Sequence, residues 1–157
     1  MENFTEIQKA MLDYLTALRK VRQLNIAPNS KDFTSQLGEW LTEQIYDGKR
    51  AESGIQKSWD VIAENKKIQV KTHAKAKTTN ARWSYIKFDL QADLDELIII
   101  VFSDDYKLKE FIKVCWSQAL PLIKQEKDGD KIYWNHLKEF QIEINKLPKQ
   151  EIISLFR

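Results

Sequence analysis

Apolar residues in the first third of the chain recur with the period of an α-helix and predict two amphipathic helices. Over residues 4–24 they come at steps of three and four, at Phe4, Ile7, Met11, Leu15, Leu18 and Val21. Such steps place the side chains on one helical face. A second helix is expected after Pro28, where Asn29 or Ser30 can cap its start. Its apolar stripe consists of Phe33, Leu37, Trp40, Leu41 and Ile45.

From residue 58 onward the pattern changes to that of β-strands. Residues 58–63 (SWDVIA) and 68–72 (IQVKT) each read as a short strand, and the intervening ENKK has the length of a hairpin turn. Residues 96–103 (ELIIIVFS) form the strongest apolar run, which predicts a central strand buried on both faces. Further strands are expected at 83–90 and 110–116, before a short helix at 117–125.

The order of these elements predicts an α/β or α+β fold. We expect a mixed central sheet of about four or five strands, flanked by helices and preceded by an N-terminal helical segment. The length of 157 residues suits a single domain. Within it, residues 1–28 would form the N-terminal helix, 30–125 the core and 126–157 a C-terminal extension. The segment KIYWNHLKEFQIEI in that extension is ambiguous and reads as part helix, part edge strand.

Composition narrows the class of protein. Of all residues 43% are hydrophobic and 31% charged, as in ordinary globular proteins. The longest apolar run is too short to span a bilayer, and the polar N-terminus lacks the layout of a secretion signal. The single cysteine, Cys115, can form neither an internal disulfide nor a zinc site alone. We therefore expect no membrane partner and a cytoplasmic location.

Positive charge is concentrated in the middle of the chain. Residues 49–87 contain ten basic and three acidic side chains, whereas the whole chain has a net charge of +2. A basic region inside a nearly neutral protein indicates an anionic partner such as nucleic acid. The alternative is a solvated, lysine-rich surface.

The predicted hairpin would gather polar side chains at one end of the sheet. Asp60 enters its first strand, Lys71 leaves its second, and Gln69 shares the face of Lys71. Glu39 reaches the same end if the second helix packs across the sheet. Phosphodiester hydrolysis uses such a set, because carboxylates hold Mg²⁺, the metal acidifies a water, and a lysine stabilises the transition state.

This set resembles the restriction-endonuclease-like superfamily, whose motif is usually written PD-(D/E)-x-K. The resemblance covers about residues 30–103 and rests on GEW in the second helix, on SWDVIAENKKIQVKT, and on the apolar strand that follows. It implies a bacterial metal-dependent endonuclease acting on DNA. By this resemblance Asp60, Glu39 and Gln69 would bind Mg²⁺ or Mn²⁺, and Lys71 would be the catalytic lysine. Glu43 would replace Glu39 if the helix were shifted by one turn.

The sequence departs from the family pattern at two positions. Trp59 stands where the family has proline, and Gln69 stands where it has its second acid. Some members of the family use Gln-x-Lys and still cleave, and an amide oxygen can ligate a metal without adding charge. The alternative is a catalytically degenerate module of the same fold that binds DNA or a protein partner.

The segment after Lys71 supplies candidate contacts to nucleic acid. These are the basic residues Lys75, Lys77, Arg82 and Lys87, together with His73. Trp83 and Tyr85 can stack on unpaired bases or pack against the sheet. The N-terminal helix, with its broad apolar stripe, either pairs two subunits into a homodimer or covers the sheet.

Overall fold

A computed structural model describes residues 3–52, 58–75 and 81–157. The helices are α1 (Phe4–Gln23), α2 (Phe33–Ile45), α3 (Trp116–Ala119) and α4 (Gln150–Ile153). The strands are β1 (Lys49–Arg50), β2 (Val61–Ala63), β3 (Lys66–Lys75), β4 (Trp83–Tyr85), β5 (Glu96–Ser103), β6 (Leu108–Cys115), β7 (Lys124–Glu126) and β8 (Gly129–Tyr133). Short 3₁₀ turns follow at Leu120–Leu122, Trp134–Phe140, Ile144–Lys146 and Ser154–Phe156.

The central sheet has five strands in the order β1-β2-β3-β5-β6. Strand β3 runs antiparallel to β2 and parallel to β5, while β5 and β6 are antiparallel, so the sheet is mixed. All residues of β5 except Ser103 are buried, as expected of a strand covered on both faces. The predicted class, an α+β fold with a mixed central sheet and an N-terminal helix, is confirmed.

The β2–β3 hairpin, which carries most of the candidate site, closes through a two-residue turn. Glu64 and Asn65 have φ values of 52° and 61°, the left-handed conformation that tight hairpin turns require. Neither residue is glycine, so the usual Asn-Gly signature is absent although the turn forms. The hairpin pairs Val61, the first residue of β2, with Ile68. The rest of β3 therefore extends past the pairing with β2.

The two faces of the central sheet are covered by different structures. On one face, α2 packs its apolar stripe against residues such as Ile98 and Ile100 of β5. On the other face, a second sheet in the order β4-β8-β7 and the turn at Trp134–Phe140 cover Leu97 and Ile99. The sequence did not predict this second sheet.

Two local expectations need correction. Helix α2 is capped by neither Asn29 nor Ser30, because it begins later: Asp32 accepts hydrogen bonds from the Thr34 amide at 3.1 Å and the Ser35 hydroxyl at 2.7 Å. The helix expected at 117–125 ends as α3 at Ala119. Pro121 lies in the following 3₁₀ turn and lacks the amide hydrogen that a longer helix needs there.

Helix α1 is twenty residues long, and none of its residues is buried. Several of its large apolar side chains are more than half exposed, among them Phe4, Ile7, Met11 and Tyr14. The alternative in which this helix covers the sheet is therefore wrong. Within residues 3–52, 58–75 and 81–157, no helix has the length and apolar character needed to cross a membrane.

Candidate active site

Helix α2 lies directly against β3 because Gly38 has no side chain. A Cβ atom built on Gly38 would be 1.7 Å from Thr72 Oγ1 and 2.8 Å from Thr72 Cβ. Only glycine permits this approach. The contact places the next residue of the helix, Glu39, beside the second half of β3.

Asp60 directly precedes the first residue of β2, Val61, and lies beside the edge of β3. Its Oδ2 accepts hydrogen bonds from the backbone amide of Val70 at 2.8 Å and from Gln69 Nε2 at 2.6 Å. Its own amide donates to the carbonyl of Ile68 at 2.8 Å. The side chain therefore continues the hydrogen-bonding pattern that a longer β2 would have made, and this fixes its position. Among the described residues, none donates a hydrogen bond to Oδ1.

The electrostatics of Asp60 reflect opposing influences. Burial raises the pKa of this carboxyl group, whereas the Val70 amide, the charge of Lys71 and the Gln69 amide lower it. The net shift is upward. Burial disfavours the ionised form of Asp60. A positive charge nearby would therefore stabilise the carboxylate.

Glu39 is half-buried and has no hydrogen bond or ion pair with any residue in the described parts of the chain. Burial raises its pKa from 4.5 to about 7, and the negative charge of Asp60 contributes to this rise. Arg50 and Lys71 act in the opposite direction. Glu39 and Asp60 are therefore close enough to repel each other, and both oxygens of Glu39 remain available.

Glu43, one turn further along α2, has a different environment. It accepts hydrogen bonds from the Arg50 amide at 3.1 Å and from Arg50 Nε at 3.0 Å. Both oxygens are thus occupied by Arg50, which is itself largely shielded from solvent. Of the two glutamates that the sequence left as candidates, Glu39 is the one with free oxygens.

Lys71 is half-buried on β3, and its ammonium group lies 5.7 Å from the centre of the Phe88 ring. Burial lowers its pKa, the carboxylate of Asp60 raises it, and Lys87 lowers it again. The resulting pKa is below the ordinary value of a lysine. Such a lysine exchanges its proton more readily than an exposed one.

These side chains line one cleft with a volume of about 420 Å³. It brings together seven of the residues singled out from the sequence, namely Glu39, Asp60, Gln69, Lys71, His73, Tyr85 and Lys87. It also contains Asp32 and Ser35 from the start of α2, which sequence reasoning missed. Asp32 could have been identified from the sequence as a helix-capping residue. Nothing in the sequence indicated, however, that the start of α2 lies over the hairpin.

His73 is held by the protein itself. Its Nε2 lies 2.7 Å from Ser84 Oγ, which also accepts a hydrogen bond from the indole of Trp134 at 3.0 Å. Burial lowers the pKa of His73 to about 4, with a further contribution from Lys75 and Lys71. The imidazole is therefore neutral at physiological pH and gives no charge to a phosphate contact.

The remaining basic candidates lie apart from the cleft. Lys75 and Arg82 both lie over the ring of Trp134, at 5.3 Å and 5.2 Å from its centre. Arg82 also forms an ion pair with Glu110 at 2.7 Å. Lys77, the other basic candidate, falls outside the described residues.

Trp83 and Tyr85 are engaged with each other and with a lysine. Their rings meet edge to face at 4.5 Å, and the ammonium of Lys131 lies 4.3 Å from the centre of Trp83. The Tyr85 hydroxyl donates to Asp128 at 2.9 Å. These contacts fit the interpretation in which the two aromatics pack within the fold.

The carboxylates of the cleft suit a divalent cation that keeps most of its water. In the described ranges, no three His, Cys, Asp or Glu side chains form a metal-binding group. Mg²⁺, however, is commonly held by one or two carboxylates together with water. Glu39 and Asp60 supply two carboxylates with oxygens that accept no hydrogen bond from the described residues. The side-chain nitrogen of Gln69 donates a hydrogen bond to Asp60. In this contact Gln69 binds the carboxylate through its nitrogen and not a cation through its oxygen.

Comparison of the sequence with models of known protein families gives no match, and comparison with curated proteins gives none either.

Proposed function

We propose that this chain is a metal-dependent nuclease that hydrolyses phosphodiester bonds in DNA. The observation that carries the proposal is the pairing of Glu39 and Asp60 in one cleft with Lys71. Burial raises the pKa of both carboxyl groups, and repulsion by the charge of Asp60 adds to the rise at Glu39. A divalent cation between them would remove the repulsion and stabilise both charges.

The residues of the cleft would have separate roles in hydrolysis. Glu39 and Asp60 would hold Mg²⁺ or Mn²⁺, with water completing the coordination. Gln69 and the Val70 amide orient Asp60 through its Oδ2. When bound, the cation polarises a phosphoryl oxygen and acidifies a water molecule.

Lys71 acts on the charge that develops on the phosphoryl group. Its ammonium donates hydrogen bonds to the non-bridging oxygens, and the partly dry environment strengthens that interaction. The same positive charge would also favour ionisation of the attacking water. Lys87, exposed at the cleft, would bind a neighbouring phosphate.

The substrate class follows from charge. Four of the ten basic residues between positions 49 and 87 form ion pairs with acidic residues: Arg50, Lys66, Lys67 and Arg82. Lys71 and Lys87 line the cleft and favour a polyanion, which we propose to be DNA. We also propose that the protein acts in the reducing environment of the cytoplasm.

The experiment is a plasmid cleavage assay with Mg²⁺ or Mn²⁺. We expect cleavage by the wild-type protein and a loss of about 100-fold or more in Asp60→Ala, Lys71→Ala and Glu39→Gln. Two matched controls, Glu43→Gln on α2 and Lys109→Ala on β6, should retain cleavage. If the wild type cleaves and both Asp60→Ala and Lys71→Ala cleave equally well, the assignment of this site is overturned.

A second candidate is a non-catalytic DNA-binding module of the same fold. The contact that favours it is the one between Gln69 and Asp60, because an uncharged amide stands where a third carboxylate would strengthen metal binding. Absence of cleavage together with DNA binding that weakens steeply with salt would support this candidate over the nuclease.

A further inference from the structure

Helix α1 carries an apolar surface that the described chain leaves mostly uncovered. None of its residues is buried: Phe4, Ile7, Met11 and Tyr14 are more than half exposed, while Leu18 and Val21 are partly buried. When Tyr14 is counted in the stripe instead of Leu15, the steps between its residues alternate between three and four without a break. We call it the α1 stripe: Phe4, Ile7, Met11, Tyr14, Leu18 and Val21. This is the heptad spacing of a helix that packs against another helix.

The α1 stripe is complementary to itself when it is reversed. In an antiparallel pair with its two-fold axis between residues 12 and 13, Phe4 faces Val21, Ile7 faces Leu18 and Met11 faces Tyr14. Every apolar position then meets an apolar position. A two-fold interface requires that if one residue contacts another, the reverse contact also forms, and the α1 stripe satisfies this requirement.

The charges of α1 also favour the reversed arrangement. The first turn carries Glu6, whereas the last turns carry Arg19, Lys20 and Arg22. A parallel pair would bring six cations together at one end. An antiparallel pair sets each cationic end beside the Glu6 end of its partner and opposes the two helix dipoles.

We propose that α1 pairs with α1 of a second copy of this chain as an antiparallel two-helix coiled coil. Helix α1 is about 30 Å long, which gives nearly three heptads. Ala10 and Ala17, beside the stripe, allow the two helices to approach closely. This interface is independent of the proposed nuclease activity, and its test does not use cleavage.

The experiment is a measurement of molecular mass in solution by sedimentation at about 100 µM protein, which populates complexes of micromolar affinity. We expect the wild type at twice 18.6 kDa. Met11→Glu places two charges in the centre of the stripe and should weaken dimerisation by about 100-fold. Thr16→Glu adds the same charge on the opposite face of α1 and should leave the dimer intact.

The fold of the body is monitored in the same samples. All five tryptophans lie outside α1, so their fluorescence reports the unfolding of the body alone. Met11→Glu should leave that unfolding midpoint unchanged. A monomeric wild type, a dimer that Met11→Glu does not weaken, or equal weakening by Thr16→Glu would each overturn the proposal.

Helix orientation is tested by disulfide cross-linking in a Cys115→Ser background, which removes the exposed native thiol. A chain with both Ile7→Cys and Leu18→Cys should form a covalent dimer on oxidation, while Ile7→Cys alone should not. In a parallel pair Ile7 would face its own copy. Efficient cross-linking of the Ile7→Cys variant alone would therefore contradict the antiparallel arrangement.

Discussion

Helices α1 and α2 have similar apolar periodicity, yet they meet different surroundings. Helix α2 has six buried residues, among them Leu37, Leu41 and Ile45, which pack in the core against the central sheet, whereas α1 has none. A period of three and four residues thus predicts a helix and its apolar face but leaves open what covers that face. Covering depends on residues elsewhere in the chain.

Leu41→Ala should produce the largest effect. The side chain of Leu41 is fully buried in the core beneath α2, and its truncation leaves a cavity there. We expect the free energy of unfolding to fall by about 2–5 kcal/mol. The matched change on α1, Leu15→Ala, should alter it by less than about 0.5 kcal/mol. Denaturant unfolding followed by tryptophan fluorescence measures both, and a similar loss in the two variants would show that α1 contributes to the core.

Gly38→Ala tests the close contact between α2 and β3. In an isolated helix this change is favourable, but here the new Cβ would overlap Thr72 Oγ1 at 1.7 Å. We expect a net loss of about 1–3 kcal/mol in the free energy of unfolding. Combining it with Thr72→Gly should cost less than the sum of the two single changes. Strict additivity would mean that the two residues do not touch.

Glu39→Gln should stabilise the protein in a pH-dependent way. The folded-state pKa of about 7 lies above the ordinary value of 4.5, so the folded protein keeps a proton that the unfolded chain releases. Stability contributed by this proton is complete below about pH 4.5 and is lost as pH rises through 7. The glutamine variant avoids that loss, and it should be more stable than wild type by about 2 kcal/mol at pH 8 and nearly equal at pH 4.5.

The control for that change is Glu43→Gln on the same helix. It removes charge from the pair with Arg50, so it should destabilise the protein at both pH values. Urea unfolding at pH 4.5 and pH 8 distinguishes the two glutamates. A Glu39→Gln variant that is less stable than wild type at pH 8 would contradict the raised pKa.

Asp32→Ala should give the smallest effect, because it concerns a helix cap. Asp32 accepts two hydrogen bonds at the start of α2, whereas Asn3, in the same position on α1, makes no side-chain cap. We expect a loss of about 1 kcal/mol for Asp32→Ala and almost none for Asn3→Ala. Thermal unfolding measured by circular dichroism compares the two, and equal shifts would mean that the caps are equivalent.

Much of the central sheet could be predicted because its signals are local. The run from Leu97 to Phe102 is buried on both faces as its composition indicates, and the alternation of Ile68 and Val70 gives β3 its buried face. The hairpin register then brings Asp60 beside Gln69 without any further information. These elements depend on neighbours within about ten residues.

The second sheet could not be predicted because its pairing is distant and its strands are short. Trp83 pairs with Tyr133, fifty residues later, and β7 consists of the three exposed residues Lys124–Glu126. A three-residue polar segment carries no periodic signal. Its stability comes from partners such as β8, which the sequence does not place beside it.

The choice between Glu39 and Glu43 also lay beyond the sequence. Both stand beside the apolar stripe of α2, one turn apart, and either could face the hairpin. The deciding residue is Arg50, which follows the helix and takes both oxygens of Glu43. A side-chain pairing across a turn of this kind is a property of the assembled fold.

Because the pKa of Glu39 is close to neutral, protons and cations compete for the same carboxylate oxygens. Under the proposed function, an ion that binds at pH 7 must displace protons from a fraction of the molecules. Apparent affinity for the ion would then drop by as much as about tenfold for each pH unit of acidification below that point. Modest acidification of the surrounding medium would therefore weaken binding of the ion in the cleft.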